Sequence, residues 1–165
     1  IMKSRNTVLS MLHSIGISDI PATIPINIVD MVNLKKYSKE EPNSNSKGFT
    51  TCLTTYKNNQ AISKSQAIYI LNGLPLLEFN GVLAHEMMHV WLHERDIKLT
   101  EPETEGFCNL GAMKVYQDDG SEFAKILLKN MEKNQDPIYG DGYQNMKKQL
   151  EKLGWEKLIR MIQNR

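Results

Sequence analysis

Cysteine is scarce in this sequence: Cys52 and Cys108 are the two cysteines among 165 residues, and they lie far apart. Without a CxxC pair, the sequence indicates neither a disulfide framework nor a cysteine-ligated zinc site. We therefore expect a reducing, cytoplasmic setting, with Cys108 as an ordinary buried thiol. The chain starts with Ile1 rather than Met, so the sequence leaves undecided whether a signal or a further domain precedes it.

An excess of charge of one sign is also lacking, because 20 Lys and Arg residues stand against 19 Asp and Glu residues, for a formal net charge of +1. Such a balance is not typical of proteins that bind nucleic acid or anionic lipid. No apolar run approaches the roughly 20 residues that a membrane-spanning helix needs. We therefore expect neither nucleic acid nor a membrane as a partner.

The length of 165 residues and the hydrophobic share of 41% are typical of one globular domain with its own core. No internal repeat or low-complexity tract is visible. We expect a single domain over residues 1–165, with an N-terminal α/β part over about residues 1–95 and a helical part over about residues 96–165.

The first half of the chain carries a helical pattern followed by strand patterns. Apolar residues at helical spacing predict a helix over residues 3–15, and a run rich in β-branched residues predicts a strand within 24–31. The polar segment 38–47 is typical of an exposed loop. β-Branched and aromatic residues predict two further strands, over 49–56 and 67–71.

The second half is predicted to be helical. A helical pattern follows Pro75 and runs to about Glu94. Thr100 and Glu103 have the spacing of a capping box, which predicts a new helix from about residue 101 to 117. Further helices are predicted over 121–134 and over 144–164, the latter broken at Gly154. The expected fold class is α+β, with a small sheet beside the Pro75–Glu94 helix.

The Pro75–Glu94 helix contains the motif HEMMH, with His85 and His89 four residues apart. This spacing separates the two side chains by about 40° around the helix axis, so both can reach one metal ion. Glu86 lies beside that ion, where its carboxylate can move a proton from a metal-activated water to a leaving amine. The motif also occurs by chance on surface helices. Here the surrounding apolar residues favour the metal site, because unpaired polar groups on a buried helix would be desolvated without compensation.

A catalytic zinc needs a third protein ligand. A third His six residues after His89 would indicate a metzincin, but that position is Arg95, which excludes the class. Glu105, on the next predicted helix, is the preferred ligand. Glu101 and Glu103 are rivals, although both suit the helix cap.

Two further polar residues lie on the same helical faces as the ligands. Asn109 follows Glu105 by one turn, and it is either a partner that orients a ligating His or a plain polar helix residue. His93 follows His89 by one turn. It is either a residue that faces the metal or a helix-end residue near the negative end of the helix dipole, and the second interpretation is preferred. His13 is expected on a polar face.

Four segments resemble one known family: Ile70–Pro75 (ILNGLP), Leu83–Leu92 (LAHEMMHVWL), Glu105–Cys108 (EGFC) and Tyr139–Tyr143 (YGDGY). Their order and spacing are similar to those in the peptidase domain of the DA-one-like family, which are plant ubiquitin-activated growth regulators with LIM domains. The resemblance covers about residues 24–160. It implies a gluzincin-type peptidase with one Zn²⁺ held by two His and a downstream Glu, which here is Glu105.

The EGF piece also resembles the ligand segment of aminopeptidase-N-like gluzincins, which again points to Glu105. LIM modules and ubiquitin-interacting helices are not found in this sequence, so activation by ubiquitin is not carried over. A short version of this kind suggests a prokaryotic relative. Thr104 stands where the plant family usually has an acid, a difference that we expect to matter little for zinc.

Gluzincins need a hydrogen-bond donor for the oxyanion of the tetrahedral intermediate. Tyr139 is the preferred donor and Tyr143 the second candidate, because the glycines between them allow a loop to approach the site. The alternative is a glycine-rich turn with a packing aromatic. One of the strands 49–56 and 67–71 is expected to hold an extended peptide along its edge.

These observations predict a zinc-dependent peptidase that acts on a peptide or protein, with Glu86 as general base. Two alternatives stay open: a regulatory peptidase that cleaves a repressor, and a zinc-containing peptide-binding module without turnover. The intact Glu86 favours an enzyme, because a binding module needs no base between its ligands. The substrate, the choice between endo- and exopeptidase activity, and the oligomeric state are left undetermined.

Overall fold

The structure is a computed structural model that describes residues 1–38, 46–57 and 60–165. Within these ranges the chain forms an α+β fold of six helices and three strands. In chain order the elements are α1 (Met2–Ser14), β1 (Ile26–Val29), α2 (Met31–Ser38), β2 (Gly48–Lys57), β3 (Gln60–Leu71), α3 (Leu76–Glu94), α4 (Glu101–Asp119), α5 (Glu122–Lys133) and α6 (Tyr139–Gln163).

The three strands form one small sheet in the order β1-β3-β2. β1 runs parallel to β3, and β2 pairs antiparallel with β3 so that Thr50 lies opposite Ile68. Thr50, Ile68 and Ile70 are all buried, and both β2 and β3 contact α3. Among the described strands, β2 therefore forms the edge of the sheet on the side away from β1.

α3 and α4 form a helical hairpin at the centre of the molecule. α3 is apolar on most of its faces, since Leu83, Met87 and Trp91 are all fully buried, and it packs against α1, α4 and the sheet. The turn after α3 contains Asp96 in the left-handed region, with φ of 52°. The predicted capping box then starts α4. The hairpin brings the residues of two helices onto one face of the core.

Glycines let α6 approach α4 closely. A Cβ on Gly106 would lie 2.1 Å from the carbonyl oxygen of Gly142, and a Cβ on Gly142 would lie 2.3 Å from that of Pro102. Neither backbone oxygen can move like a flexible side chain, so larger residues at these positions would push the helices apart. Gly106 of EGF and Gly142 of YGDGY therefore serve packing between α4 and α6.

Most predicted helices are confirmed within two residues at each end, and the break at Gly154 is confirmed by its φ of 74°. The strand expected within 24–31 is confirmed as β1, whereas helix α2, which begins soon after it at Met31, was not predicted. Asp30 starts this helix, because its carboxylate accepts the N–H of Asn33 at 2.8 Å, and burial of Leu34 holds it against the core. Residues 39–45 of the predicted loop lie outside the described ranges.

Two boundaries were wrong. β3 begins at Gln60, seven residues before the predicted start of that strand. α6 begins at Tyr139, so YGDGY forms helical turns and not a loop. The sequence Asp136-Pro137 marks this start, since the Asp136 carboxylate accepts the N–H groups of Ile138 and Tyr139 at 2.8 Å each.

None of the helices in the described ranges is long and apolar enough to cross a membrane.

Candidate metal centre

Three side chains from α3 and α4 converge on one point. The Nε2 atoms of His85 and His89 lie 3.0 Å apart. Oε2 of Glu105 is 3.2 Å from His85 Nε2, and Oε1 of Glu105 is 3.5 Å from His89 Nε2. The structure therefore brings together the three residues that were predicted as ligands, and their donor atoms form a group that could hold a metal ion.

The spacing of these atoms fits a tetrahedral zinc site. Zinc binds imidazole nitrogen and carboxylate oxygen at about 2.0–2.2 Å, so two ligand atoms of a tetrahedral site lie about 3.3–3.5 Å apart. The three observed separations, 3.0, 3.2 and 3.5 Å, lie close to this value. Two nitrogens and one carboxylate oxygen are also a donor set that zinc prefers in catalytic sites, where the fourth position is left open.

Asn109 fixes the orientation of His85. The amide nitrogen of Asn109 donates to the carbonyl oxygen of Tyr139 at 3.4 Å, so the amide oxygen faces His85, 3.0 Å from Nδ1. Nδ1 then carries the proton and donates it, which leaves the lone pair of Nε2 directed toward the other two ligand atoms. Of the two interpretations of Asn109, the contact favours a partner of the ligating His.

The carboxylate of Glu105 and the imidazole of His85 each shift the pKa of the other toward its charged form. Burial raises the pKa of Glu105, but hydrogen bonds to His85 and His89 outweigh it and hold the pKa far below its usual range. Burial lowers the pKa of His85, but the hydrogen bond to Glu105 and the charges of Glu86 and Glu105 leave it raised. The site therefore attracts positive charge, which a proton or a metal ion can supply.

Glu86 lies in a buried position beside this group, with 4% of its surface exposed. The hydroxyl of Thr50, on β2, donates to Oε2 of Glu86 at 2.7 Å. A Cβ on Gly48 would lie 2.5 Å from Oε1 of Glu86 and 2.6 Å from a methyl group of Val82. The first residues of β2 therefore surround the carboxylate, and the absence of a side chain at position 48 leaves room for it.

A cleft of about 640 Å³ opens over the three ligands. One wall is formed by the start of β2 and by α3, and the opposite wall by α4, α5 and the start of α6. Along α4, the residues that line the cleft are Glu101, Glu105, Asn109, Ala112 and Tyr116, which recur every three or four positions and so share one helix face.

Tyr139 lines the cleft and is 41% exposed, whereas Tyr143 is fully buried. The Tyr143 hydroxyl donates to Glu132 at 3.1 Å, and burial, with the charge of Glu132, raises its pKa. The second oxyanion candidate is therefore a core residue that does not line the cleft.

The remaining histidines and Cys108 lie outside the ligand group. His93 lines the cleft, but its Nδ1 lies 3.2 Å from the side-chain oxygen of Gln66. Burial and the nearby His89 lower the pKa of His93. His13 is exposed, and Cys108 is buried, as predicted.

Gly48 and Thr50 were not among the residues predicted for the site. Both are spaced two residues apart on a strand, so both point to the same face. That face is the one toward α3. Thr50 lies within the strand predicted over 49–56, where the alternation indicates which side chains share a face, but Gly48 precedes that strand. The pattern also did not indicate which helix the face meets.

The region of the chain that matches known proteins includes the three proposed ligands. The model of the DA1-like family, described as Protein DA1, matches residues 40–115. Protein DA1 of Arabidopsis thaliana is 29% identical over 129 residues, which cover 59% of this chain and 24% of that protein. Both matches support a DA1-like relationship. No solved structure matches the chain.

The DA1-like match contains His85, Glu86, His89 and Glu105, and it leaves Tyr139 outside. The proposed ligands and base therefore lie in the part of the chain that the family model matches. The chain spans about a quarter of the length of the Arabidopsis DA1 protein that it matches.

Proposed function

We propose that this protein is a zinc-dependent, gluzincin-type peptidase. The observation that carries the proposal is the convergence of two imidazole nitrogens and one carboxylate oxygen within 3.0–3.5 Å, beside a buried glutamate that is not needed as a ligand. His85, His89 and Glu105 would hold the ion. Bound zinc supplies a Lewis acid that polarises a carbonyl and lowers the pKa of water.

The role of Glu86 follows from its two oxygens. Oε2 is held by the Thr50 hydroxyl, so the carboxylate is kept in one orientation with Oε1 beside Gly48. A carboxylate fixed in this way can accept a proton from the attacking water and then give it to the leaving amine. Tyr139, at the opposite wall of the cleft, is the proposed donor to the oxyanion of the tetrahedral intermediate.

The proposed substrate is a peptide or a protein segment in extended form. β2 is an edge strand among the described strands, and its first residues line the cleft. An extended peptide can add to such an edge through main-chain hydrogen bonds. A reducing, cytoplasmic location is part of the proposal, since both Cys52 and Cys108 are free.

Metal analysis of the purified chain, together with a Glu86→Gln variant, tests the proposal. Wild type is expected to bind one zinc per chain and to cleave unfolded peptides. Glu86→Gln should keep the zinc and lose cleavage by about 1,000-fold or more, because only the proton acceptor is removed. Zinc without any cleavage by wild type would instead favour a peptide-binding module, and no stoichiometric zinc would overturn the proposal.

A matched pair of variants separates ligands from neighbours. His89→Gln removes one proposed ligand, whereas His93→Gln removes an imidazole one turn later on the same helix. Only His89→Gln should lower zinc affinity by orders of magnitude. Equal losses in both variants would mean that the metal is held by a different set of side chains.

A further inference from the structure

We propose that the cleft selects its substrate through an apolar bay that takes one aliphatic side chain of the peptide, next to the bond that is cleaved. The bay is defined by Val82, Ala112, Tyr116, Leu127 and Met131, which all line the cleft. The inference rests on the proposed peptidase function and adds the class of residue that the substrate carries at this position.

The bay lies on one side of the ligand group. On α4, Ala112 and Tyr116 follow Glu105 and Asn109 along the same face. On α3, which runs antiparallel to α4 in the hairpin, Val82 precedes His85 by one turn. Both helices therefore place apolar residues directly beside the metal ligands, at the end of the cleft away from the hairpin turn.

The wall of the bay is continuous with a small hydrophobic cluster between α4 and α5. Ala112 and Tyr116 are buried in that cluster, and Leu127 and Met131 pack against it while staying partly exposed. Because Leu127 and Met131 are partly exposed, an apolar guest could bury them further. Burial of apolar surface stabilises a complex by about 25 cal/mol per Å².

The far end of the bay is closed, which limits the size of the guest. A Cβ on Gly81 would lie 2.2 Å from the hydroxyl oxygen of Tyr116, so α3 and α4 meet at this point. Ala112, by contrast, has a small side chain and leaves space beside the ligands. A guest of medium size, such as the side chain of Leu, Ile or Met, fits this shape better than an aromatic ring.

The charges around the bay do not favour a charged guest. Glu78 lines the cleft at this end, but it forms an ion pair with Lys47, 2.5 Å away. Burial raises the pKa of Tyr116, and the charge of Glu78 adds to the effect, so its hydroxyl stays neutral. A charged side chain placed in the bay would lose its hydration, and the nearby Glu78 is already paired with Lys47.

The direction of β2 assigns the guest to one side of the cleaved bond. Lys47 contacts Glu78 near the start of α3, and Thr50 contacts Glu86 two turns later, so β2 and α3 run the same way. Antiparallel pairing is slightly more stable per residue than parallel pairing. A peptide paired antiparallel to β2 then runs toward Glu78, and the residue that follows the cleaved bond enters the bay.

Digestion of a mixed peptide library by the zinc-loaded full chain tests the proposal. Wild type should cleave before Leu, Ile or Met about 10-fold or more faster than before Gly. Ala112→Leu fills the bay and should remove this preference, while Met131→Ala enlarges it and should shift the preference toward Phe. Zinc content and circular dichroism check that each variant is folded. If wild type shows no preference for the residue that follows the cleaved bond, or if both variants keep the wild-type preference, the proposed role of the bay is wrong.

A binding measurement separates this inference from the proposed activity. Zinc-loaded Glu86→Gln should bind a Leu-containing peptide more tightly than its Gly counterpart, and Ala112→Leu in that background should abolish the difference. If wild type cleaves nothing but this difference in affinity is found, the peptidase function is wrong and the bay stands as a binding site. If neither cleavage nor a difference in affinity is found, both are wrong.

Discussion

The hydroxyl of Thr50 donates a hydrogen bond of 2.7 Å to Oε2 of Glu86, across a sequence separation of 36 residues. Both residues are buried, with 9% and 4% of their surface exposed. A hydrogen bond to a charged group contributes more than one between neutral groups. This bond therefore ties the orientation of the proposed base to the edge strand on which the substrate is expected to lie.

Replacement of Thr50 by Val should lower kcat without loss of zinc. Val has nearly the same shape but cannot donate, so Glu86 is left without its partner and its carboxylate is less well oriented. We expect kcat to fall by about 10-fold or more, with KM changed much less. Thr50→Ser keeps the hydroxyl and should restore most of the turnover. If Thr50→Val turns over peptides as fast as wild type, Thr50 does not position the base.

Features that depend on residues close together in the sequence were predicted well. The HEMMH helix and the capping box at Thr100 follow from local spacing, so their position hardly depends on the rest of the fold. Glu105 could be preferred over Glu101 and Glu103 because the cap already accounted for those two. Thr50 could not be found in this way, since its partner lies on an element that is distant in sequence, and nothing local specifies which helix packs on β2.

The missed helix α2 and the misplaced start of α6 have a similar physical origin. Helices α2 and α6 each begin at an Asp side chain that accepts backbone N–H groups, Asp30 and Asp136. Both lie next to segments with strong competing signals, a β-branched run in one case and two glycines in the other. Gly140 and Gly142 were interpreted as loop residues. They lie within helix α6, where neighbouring backbone atoms come so close that a side chain at either position would collide with them. Tertiary packing overrides the weak helix propensity of Gly.

Asn109 should determine how tightly zinc binds. Asn109→Ala removes the acceptor that holds the Nδ1–H of His85, so the ring loses its fixed orientation, and zinc affinity should fall by about 10- to 100-fold. Asn109→Asp keeps an acceptor at the same place and should retain affinity near that of wild type. Competition with a chromophoric chelator measures both. Asn130→Ala is the control, because Asn130 is an exposed residue that lines the same cleft. If this variant loses as much zinc affinity as Asn109→Ala, Asn109 has no special role in zinc binding.

The two tyrosines of YGDGY should respond differently to removal of the hydroxyl. Tyr139→Phe should lower kcat by about 100-fold, as for loss of an oxyanion donor, with zinc content unchanged. Tyr143→Phe should leave kcat unchanged but lower the free energy of unfolding by about 1 kcal/mol, because the hydrogen bond to Glu132 is lost. Steady-state kinetics and urea unfolding distinguish them. Unchanged turnover in Tyr139→Phe would exclude Tyr139 from the site.

The capping box that begins α4 should make stability depend on pH. Oε2 of Glu103 accepts the N–H and the hydroxyl of Thr100 at 3.0 and 2.9 Å. The backbone hydrogen bond from Thr100 is the main cause that lowers the pKa of Glu103 below its ordinary value of 4.5, and Arg165 adds to it. A carboxyl with a lowered pKa in the folded state stabilises the protein above the pKa of the unfolded chain. This contribution is lost as the pH falls through the folded-state value.

Glu103→Ala should therefore lower the free energy of unfolding by about 1 kcal/mol at pH 7, and the difference from wild type should shrink as the pH falls from about 4.5 toward 3. Urea unfolding of both proteins at a series of pH values, without added metal, measures the difference. Glu122→Ala is the control, because Glu122 is an exposed acid in the first turn of α5 that pairs with Lys125 and not with its helix cap. A difference that stays constant down to pH 3 would mean that the charge of Glu103 does not stabilise the cap. Glu105, the proposed third ligand, follows Glu103 by two residues on α4. Loss of the cap in Glu103→Ala should fray this part of the helix, and zinc binding should therefore weaken slightly.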